Sequence, residues 1–358
     1  MERMRLHLID EWLRRGIEVD LVMTSRRGPL INKIPPGATV FEIAPRSPIF
    51  FPIGLINYIR SRKPSHILAA GPDINALTLL VARFFARNVP VSVSFHNHLS
   101  SELRMAQGLL AAKEWVTVRI LRQVLRRCVG VVAVSHGVAE DLKTFFPAQK
   151  EKIAVIYNPV VTADFREKAY MEPEIRLLPE GTPYIIYAGR LTYSKGIDVL
   201  LDAYATLASR TDAHLVIMGG GPCEKNVEKE KKRNHGHKIH LLPYQENPLP
   251  WIRNADVLVL PSRHEGLANV IIEALACGTQ VVASDCPSGP AEILGEGRFG
   301  QLVPVGNSKA LADALLRSLK GEFWVDPEEL IARGSTFSAQ RAAEEYISVL
   351  TASKVSED

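Results

Sequence analysis

ADVLVLPSRHEGLANVIIEALACGTQVVASDCPSGPAEIL, residues 255–294, reads as strand, loop, helix and second strand. DVLVL (256–260) and QVVAS (280–284) are unbroken apolar runs, as expected of strands covered on both faces. A helix between them ends at Gly278, the residue type that closes helices in a left-handed conformation. Two carboxylates stand eight residues apart: Glu265 in the Gly-containing loop, and Glu273, expected in the opening turn of the helix. A helix N-terminus has unpaired N–H groups and the positive end of the dipole, so it suits an anionic ligand. A carboxylate beside such a site is better suited to accepting hydrogen bonds from sugar hydroxyls than to holding phosphate.

The same alternation runs outward from this unit in both directions. Strands are expected at EVDLVM (18–23), HILAA (66–70), VSVSF (91–95) and GVVAVS (130–135) in the first half. In the second half they are expected at YIIYAG (184–189), HLVIMG (214–219), KIHLL (238–242), DVLVL and QVVAS. Apolar strands separated by helices predict an α/β fold with parallel sheets, occurring twice. The domains are read as 1–160, 161–335 and a last helical segment 336–358, with TFSAQRAAEEYISVL (336–350) able to pack back on the first domain. Asn158-Pro159 and the loop-like PEIRLLPEGTP (173–183) mark the boundary. Two such domains would offer a cleft at the carboxyl ends of their strands, where open α/β sheets bind ligands.

The chain begins inside an amphipathic helix, MERMRLHLIDEWLRRG, although a domain of this type is expected to open on a strand and a Gly-rich turn. The first strand is therefore expected to be missing from this start.

The chain has 358 residues, 46% hydrophobic and 23% charged, which is ordinary for a soluble two-domain protein. Cys128, Cys223, Cys277 and Cys286 form no CxxC pair and no metal-ligand spacing, which suits reduced thiols. No run is long enough for a membrane span, and the amphipathic, charged start is no signal peptide. The net charge of +4 hides an asymmetry: residues 1–160 carry 22 Lys+Arg against 12 Asp+Glu. That excess suits an anionic partner, either a lipid surface, a diphosphate-linked acceptor or nucleic acid, and a solvated surface with no partner is the alternative. RMAQGLLAAKEWVTVRILRQVLRR (104–127) reads as one long amphipathic run. Its basic side includes Lys113, Arg119, Arg122, Arg126 and Arg127, and Trp115 could anchor it at an interface. A charged surface helix is the alternative.

Several strand ends carry further candidates. AGRLTYSKGIDVLLDAY (188–204) puts Arg190 at a strand terminus and Lys195 just before a helix. Two cations there can clamp a diphosphate, and an ordinary solvated loop is the alternative. MGGGPCE (218–224), with Gly219, is either a close backbone approach to a ligand or a tight turn. SFHNHLSSE (94–102) places His96 at a strand end, able to bond a sugar hydroxyl or to sit as a structural histidine. His96 and His98 have no acidic or cysteine cluster to complete a metal site, and there is no DxD. AVSHGVAEDL (133–142) reads as a structural corner with Ser135 as helix cap and Gly137 opening the turn. GxGxxG with its acid, GK[ST] and GxSxG are all absent, which disfavours dinucleotide, P-loop and hydrolase chemistry.

Taken together, AGRLTYSKGIDVLLDAY, IMGGGP, residues 255–294, AVSHGVAEDL and VIYNPV resemble the retaining glycosyltransferases of family 4, over nearly the whole chain. The resemblance implies the GT-B fold, two Rossmann-like domains with parallel sheets facing a central cleft. It implies that Arg190 and Lys195 hold the donor's diphosphate, and that Glu265 faces the transferred sugar with the amides of Gly266 and Leu267. Glu273 would hold the nucleotide ribose, the backbone around Pro243 and Tyr244 would meet the base, and His96 would contact the sugar or the developing charge.

The implied reaction moves a hexosyl group, with retention, from a nucleotide sugar (probably UDP-linked) to a saccharide or polyprenyl-diphosphate-linked acceptor. No metal or cofactor is expected, and no nucleic acid. DCPSGPAEIL and LPYQENPLPWIRNADV look like bacterial members that build polysaccharide, O-antigen or lipid-linked oligosaccharide. That implies a cytoplasmic protein, peripheral on the inner membrane face. Leu267-Ala268 stand where that subgroup often has Phe-Pro. An N-terminally truncated, impaired nucleotide-sugar-binding protein and a sugar-nucleotide epimerase are the alternatives.

Overall fold

The computed structural model describes residues 2–28, 30–44, 47–106, 108–173, 177–179, 181–233 and 236–351. The chain divides into two compact units, Met1–Pro159 with Ala339–Asp358, and Val160–Ser338. Of the loop at 173–183, residues 174–176 and 180 lie outside the described residues, as do the last seven of the chain.

In the first unit, β1 (Asp20–Met23) pairs parallel with β2 (Thr39–Glu42). A separate parallel sheet runs in the order β3 (Ile67–Ala70), β4 (Val91–Phe95), β5 (Gly130–Ala133) and β6 (Ile153–Val155). The opening helix, Glu2–Arg14, buries Leu8 and Trp12 against Val132, Ile156 and Ala342, Ala343 and Tyr346 of the last helix, Ala339–Thr351. The Trp12 indole N–H donates to the Ala343 carbonyl at 3.3 Å and its ring meets Tyr346 edge-on. A second cluster is formed by Phe51, Leu55, Tyr58, Ile59 and Val81. Val22, Phe41 and Ile67 pack against it, so β1, β2 and β3 share that layer.

The second unit holds six parallel strands in the order β12-β11-β10-β7-β8-β9. These are β7 (Tyr184–Ala188), β8 (His214–Met218), β9 (Ile239–Leu242), β10 (Val257–Leu260), β11 (Gln280–Ser284) and β12 (Gln301–Val303). Ile185, Ile186, Val216, Leu258, Val259 and Val282 are fully buried. Their aliphatic runs fit strands with both faces covered, and each such side chain contributes roughly 1.5–3 kcal/mol by burial.

Every expected strand forms, usually shortened by a residue or two. Three further strands, β2, β6 and β12, are short; β2 and β12 carry polar residues, and β6, in the apolar run at 153–157, is a three-residue edge strand. The run at 104–127 is not one helix. Helices Leu99–Met105 and Leu109–Val124 are separated around Gly108, whose φ of 57° suits glycine and interrupts the ladder. Ser135 caps the helix His136–Phe145 by accepting from the Val138 amide at 3.1 Å. Gly137 lies inside that helix rather than opening a turn.

Candidate active site

In the six-stranded sheet, the chain turns from β7 to β8 and β9 on one side, while β10, β11 and β12 lie on the other. The strand order therefore reverses between β7 and β10, which is where open α/β sheets receive ligands at their carboxyl edge. The loops leaving these two strands, 189–196 and 261–268, hold Arg190, Lys195, Glu265, Gly266 and Leu267.

The loops touch through side chain and backbone. The Lys195 ammonium donates to Glu265 Oε1 at 2.5 Å, and the Ser262 hydroxyl donates to the same oxygen at 2.7 Å. The Glu265 side chain is 8% exposed and that of Lys195 20%. Behind them, the Ser288 hydroxyl donates to the Glu265 carbonyl at 2.5 Å. Gly196, at φ +69°, lies so close that a Cβ there would stand 2.0 Å from the Pro261 carbonyl oxygen. Gly289, at φ +94°, packs less closely on the same corner: a Cβ there would stand 3.1 Å from the Ala268 nitrogen and 3.3 Å from Leu267 Cα. Cys286 is buried beneath this corner, and its thiol is pushed up to about 12, by burial first and then by the Glu265 carboxylate. It is accordingly an unreactive thiol.

Arg190 is exposed, and its carbonyl accepts from the Tyr187 hydroxyl at 2.8 Å, which ties the loop to a fully buried ring. Gly219 follows β8. Its amide donates to the Leu242 carbonyl, and the Gly189 amide donates to the Met218 carbonyl. A Cβ at Gly219 would stand 2.0 Å from the Gly189 oxygen. The packing of two backbones therefore accounts for this glycine without a ligand. Pro243 and Tyr244 are exposed just past the end of β9, on the same edge of the sheet.

Glu273 departs from expectation. The helix spans Asn269–Cys277, so Glu273 stands in its second turn rather than its first. Gly266, Leu267 and Ala268 are buried in the loop beneath Gly289, and Ala268 keeps non-helical dihedrals. Leu267 is 6% exposed, so its side chain is part of the packed floor.

His96 belongs to the first unit, past the end of β4. Its Nε2 lies 3.2 Å from the Ser94 hydroxyl, which Arg5 of the opening helix also reaches, at 2.5 Å. Burial lowers the imidazole to about 3, with the Arg5 charge adding to the shift and Asn158 opposing it. Burial also lowers Arg5 itself. Arg5 carried no signal in the sequence, since a helix-face arginine ordinarily faces water. His98 pairs instead with Asp141 at 3.5 Å.

The His96 shift has a sign that can be tested. The folded state holds the ring neutral, whereas the unfolded chain protonates it below about 6.5. The stability it contributes is present above that pH and is lost as pH falls toward about 3. The slope is at most about 1.4 kcal/mol per pH unit. Thermal unfolding between pH 7 and 4.5 should show a shallower acid loss in His96→Gln than in the unsubstituted protein. Parallel curves would contradict the neutral, buried assignment.

Residues 182–321 match the family described as Glycosyl transferases group 1, and residues 1–164 match Glycosyltransferase Family 4. The chain is 32% identical over 189 residues to an N-acetylgalactosamine-N,N'-diacetylbacillosaminyl-diphospho-undecaprenol 4-alpha-N-acetylgalactosaminyltransferase of Campylobacter jejuni, covering 52% of this chain and 50% of that one. Such matches span about half the length of the relatives concerned. A crystal structure of a glycosyltransferase from Rickettsia africae superposes with a TM-score of 0.80 at 17% identity, covering 99% of this chain and 95% of that one. Anabaena Alr3699/HepE in complex with UDP superposes with a TM-score of 0.74 at 17% identity, over 97% and 95%. The fold is GT-B, and with both halves matched the chain belongs to the family 4-like glycosyltransferases.

Proposed function

We propose that the protein transfers a hexosyl group from a UDP-sugar, with retention, to a saccharide or polyprenyl-diphosphate-linked acceptor in cell-surface polysaccharide synthesis. The observation that carries this reading is the Lys195–Glu265 pair, which joins two loops at the point where the strand order reverses. Similar proteins support the donor and acceptor classes: one acts on a diphospho-undecaprenol substrate and another was crystallised with UDP.

In the proposed reaction the bond from the anomeric carbon to the diphosphate oxygen breaks, and a bond to the acceptor oxygen forms. The acceptor's proton passes to the leaving diphosphate, so no protein base is required. Arg190 and Lys195 offset the charge that grows on that diphosphate. Glu265, already charge-paired, accepts from the sugar's hydroxyls, and Glu273 accepts from the ribose.

A screen of UDP-sugars with a lipid-diphosphate saccharide acceptor tests this. Glycosylated product is expected with one donor, and turnover is expected to fall sharply in Glu273→Ala and Lys195→Ala. Undiminished turnover in both would remove the site. Conversion of the sugar nucleotide without acceptor would instead show an epimerase, and UDP binding without product an impaired transferase.

The reading includes peripheral attachment to the inner face of the cytoplasmic membrane. No helix among the described residues is long and apolar enough to cross a membrane. The helix Leu109–Val124 supports surface attachment. Leu109 is 91% and Trp115 57% exposed, and Lys113, Arg119 and Arg122 are exposed on the same helix. Basic side chains with adjacent apolar anchors suit an anionic lipid surface. Co-sedimentation with vesicles should rise with anionic lipid and weaken in Trp115→Ala. Equal, negligible binding to neutral and anionic vesicles would rule it out.

A further inference from the structure

The Lys195–Glu265 pair joins side chains 70 positions apart, on loops that leave two different strands. A lysine side chain is long and loses much rotamer freedom when held, and desolvation offsets much of a largely buried pair's attraction, so this ion pair does little to fix two loops by itself. Another residue, Arg263, links the same loops through both its backbone and its side chain. The Arg263 amide donates to the Ser194 carbonyl at 2.8 Å. Its Nη1 donates to the Tyr193 carbonyl at 2.7 Å and to Asp198 Oδ1 at 2.8 Å. Its Nη2 donates to Asp198 Oδ2 at 2.7 Å, and the guanidinium lies 3.8 Å from the centre of the Tyr193 ring.

Asp198 stands in the first turn of the helix Ile197–Leu207, so one guanidinium grips the loop on either side of Lys195. The Asp198 hydrogen bond holds the arginine above its ordinary pKa, and the arginine holds Asp198 below its own. Both terminal nitrogens are already engaged, which separates Arg263 from a cation waiting for phosphate.

We infer that Arg263 is a positioning residue: through Asp198 and the Tyr193 carbonyl it fixes loop 189–196 on loop 261–268 and so holds Lys195 against Glu265. This rests on the proposed function only for its effect on transfer. The geometric part stands without it. Lysine at 263 keeps the charge but cannot form the planar fork to Asp198 while also bonding the Tyr193 carbonyl. Asparagine at 198 keeps the shape and removes the charge.

The test reads the environment of Lys195 directly, by competitive acetic anhydride labelling of the folded protein and mass spectrometry of each lysine. Lys195 should label several-fold faster in Arg263→Lys and in Asp198→Asn, with exposed Lys309 unchanged as internal reference. In a Glu265→Gln background, Arg263→Lys should add little further, because the partner that Lys195 is held against has already lost its charge. Unchanged labelling of Lys195 in both single variants, or a full additional increase in the Glu265→Gln background, would overturn the inference. A further variant, Arg263→Met, should show a raised KM for the donor that partly recovers in Arg263→Lys. Absence of any transfer by the unsubstituted protein would count against the proposed function and leave the labelling result to decide the role of Arg263.

Discussion

Lys195→Ala is expected to lower sugar-nucleotide turnover by about 10²–10³-fold, the size of effect seen when one donor to developing charge is removed. Two consequences of the substitution have to be separated. The first is chemical, the loss of a cation beside the leaving diphosphate. The second is structural. Glu265 is 8% exposed, and without Lys195 its Oε1 keeps the hydrogen bond from the Ser262 hydroxyl. A buried charge that loses its counter-ion destabilises the fold, here by roughly 1–3 kcal/mol given the partial exposure and the remaining hydrogen bond. The double variant Lys195→Ala/Glu265→Gln removes the stranded charge. It should regain most of the lost melting temperature while turnover stays low. Turnover in Lys195→Ala within a few-fold of normal would remove Lys195 from donor binding. Recovery of both properties in the double variant would show that the single substitution acted through the fold.

Gly219→Ala is expected to destabilise the second unit by more than about 4 kcal/mol, a value reserved for severe steric or buried-charge defects. The added Cβ would lie 2.0 Å from the Gly189 carbonyl oxygen, and the backbone already holds φ +136°, which side chains other than glycine rarely adopt. Neither atom is the end of a flexible chain, so β7 and β8 would have to separate where Gly189 and Gly219 cross. At roughly 2–4 °C per kcal/mol for a unit of this size, the melting temperature should fall by roughly 8–16 °C. Gly196→Ala meets the Pro261 carbonyl oxygen at the same 2.0 Å and should behave alike, with loss of the contact beside Lys195. Gly306→Ala is the control: its φ is +77°, but nothing lies within 4 Å of the added carbon. It should cost only the left-handed strain, about 1 kcal/mol. Equal melting temperatures for Gly219→Ala and Gly306→Ala would show that the loops are not held as described.

Legibility along the chain follows the range of the interaction involved. The strands β7, β8, β10 and β11 were readable because both of their faces are buried, leaving runs such as YIIYA and VLVL with no polar interruption. Ser135 as a cap was readable because its partner, the Val138 amide, is three residues away. The edge elements β2 and β12 were not, because such strands tolerate the polar residues found in TVFE and QLV, and β6 was not because it is only three residues long beside the Asn158-Pro159 turn. The break at Gly108 escaped a reading by amphipathic spacing, since the flanking helices continue the same composition across it.

At the candidate site, periodicity and turn chemistry placed Arg190, Lys195, Gly219, Glu265 and Glu273 on strand-end loops or on the helix that follows. The α/β class and the repeated parallel architecture were likewise determined by sequence alone, because alternation and helix ends depend on neighbours a few positions apart. Three things were decided only by the tertiary structure. Lys195 and Glu265 share one hydrogen bond rather than holding separate positions. Arg263 is spent on Asp198 and Tyr193. Arg5 is buried beside Ser94 and His96. The side-chain hydrogen bonds involved join residues 65 to 89 positions apart in the chain. No local pattern records such a pairing: it exists only once parallel strands bring their carboxyl ends, or a helix and a sheet, to the same place.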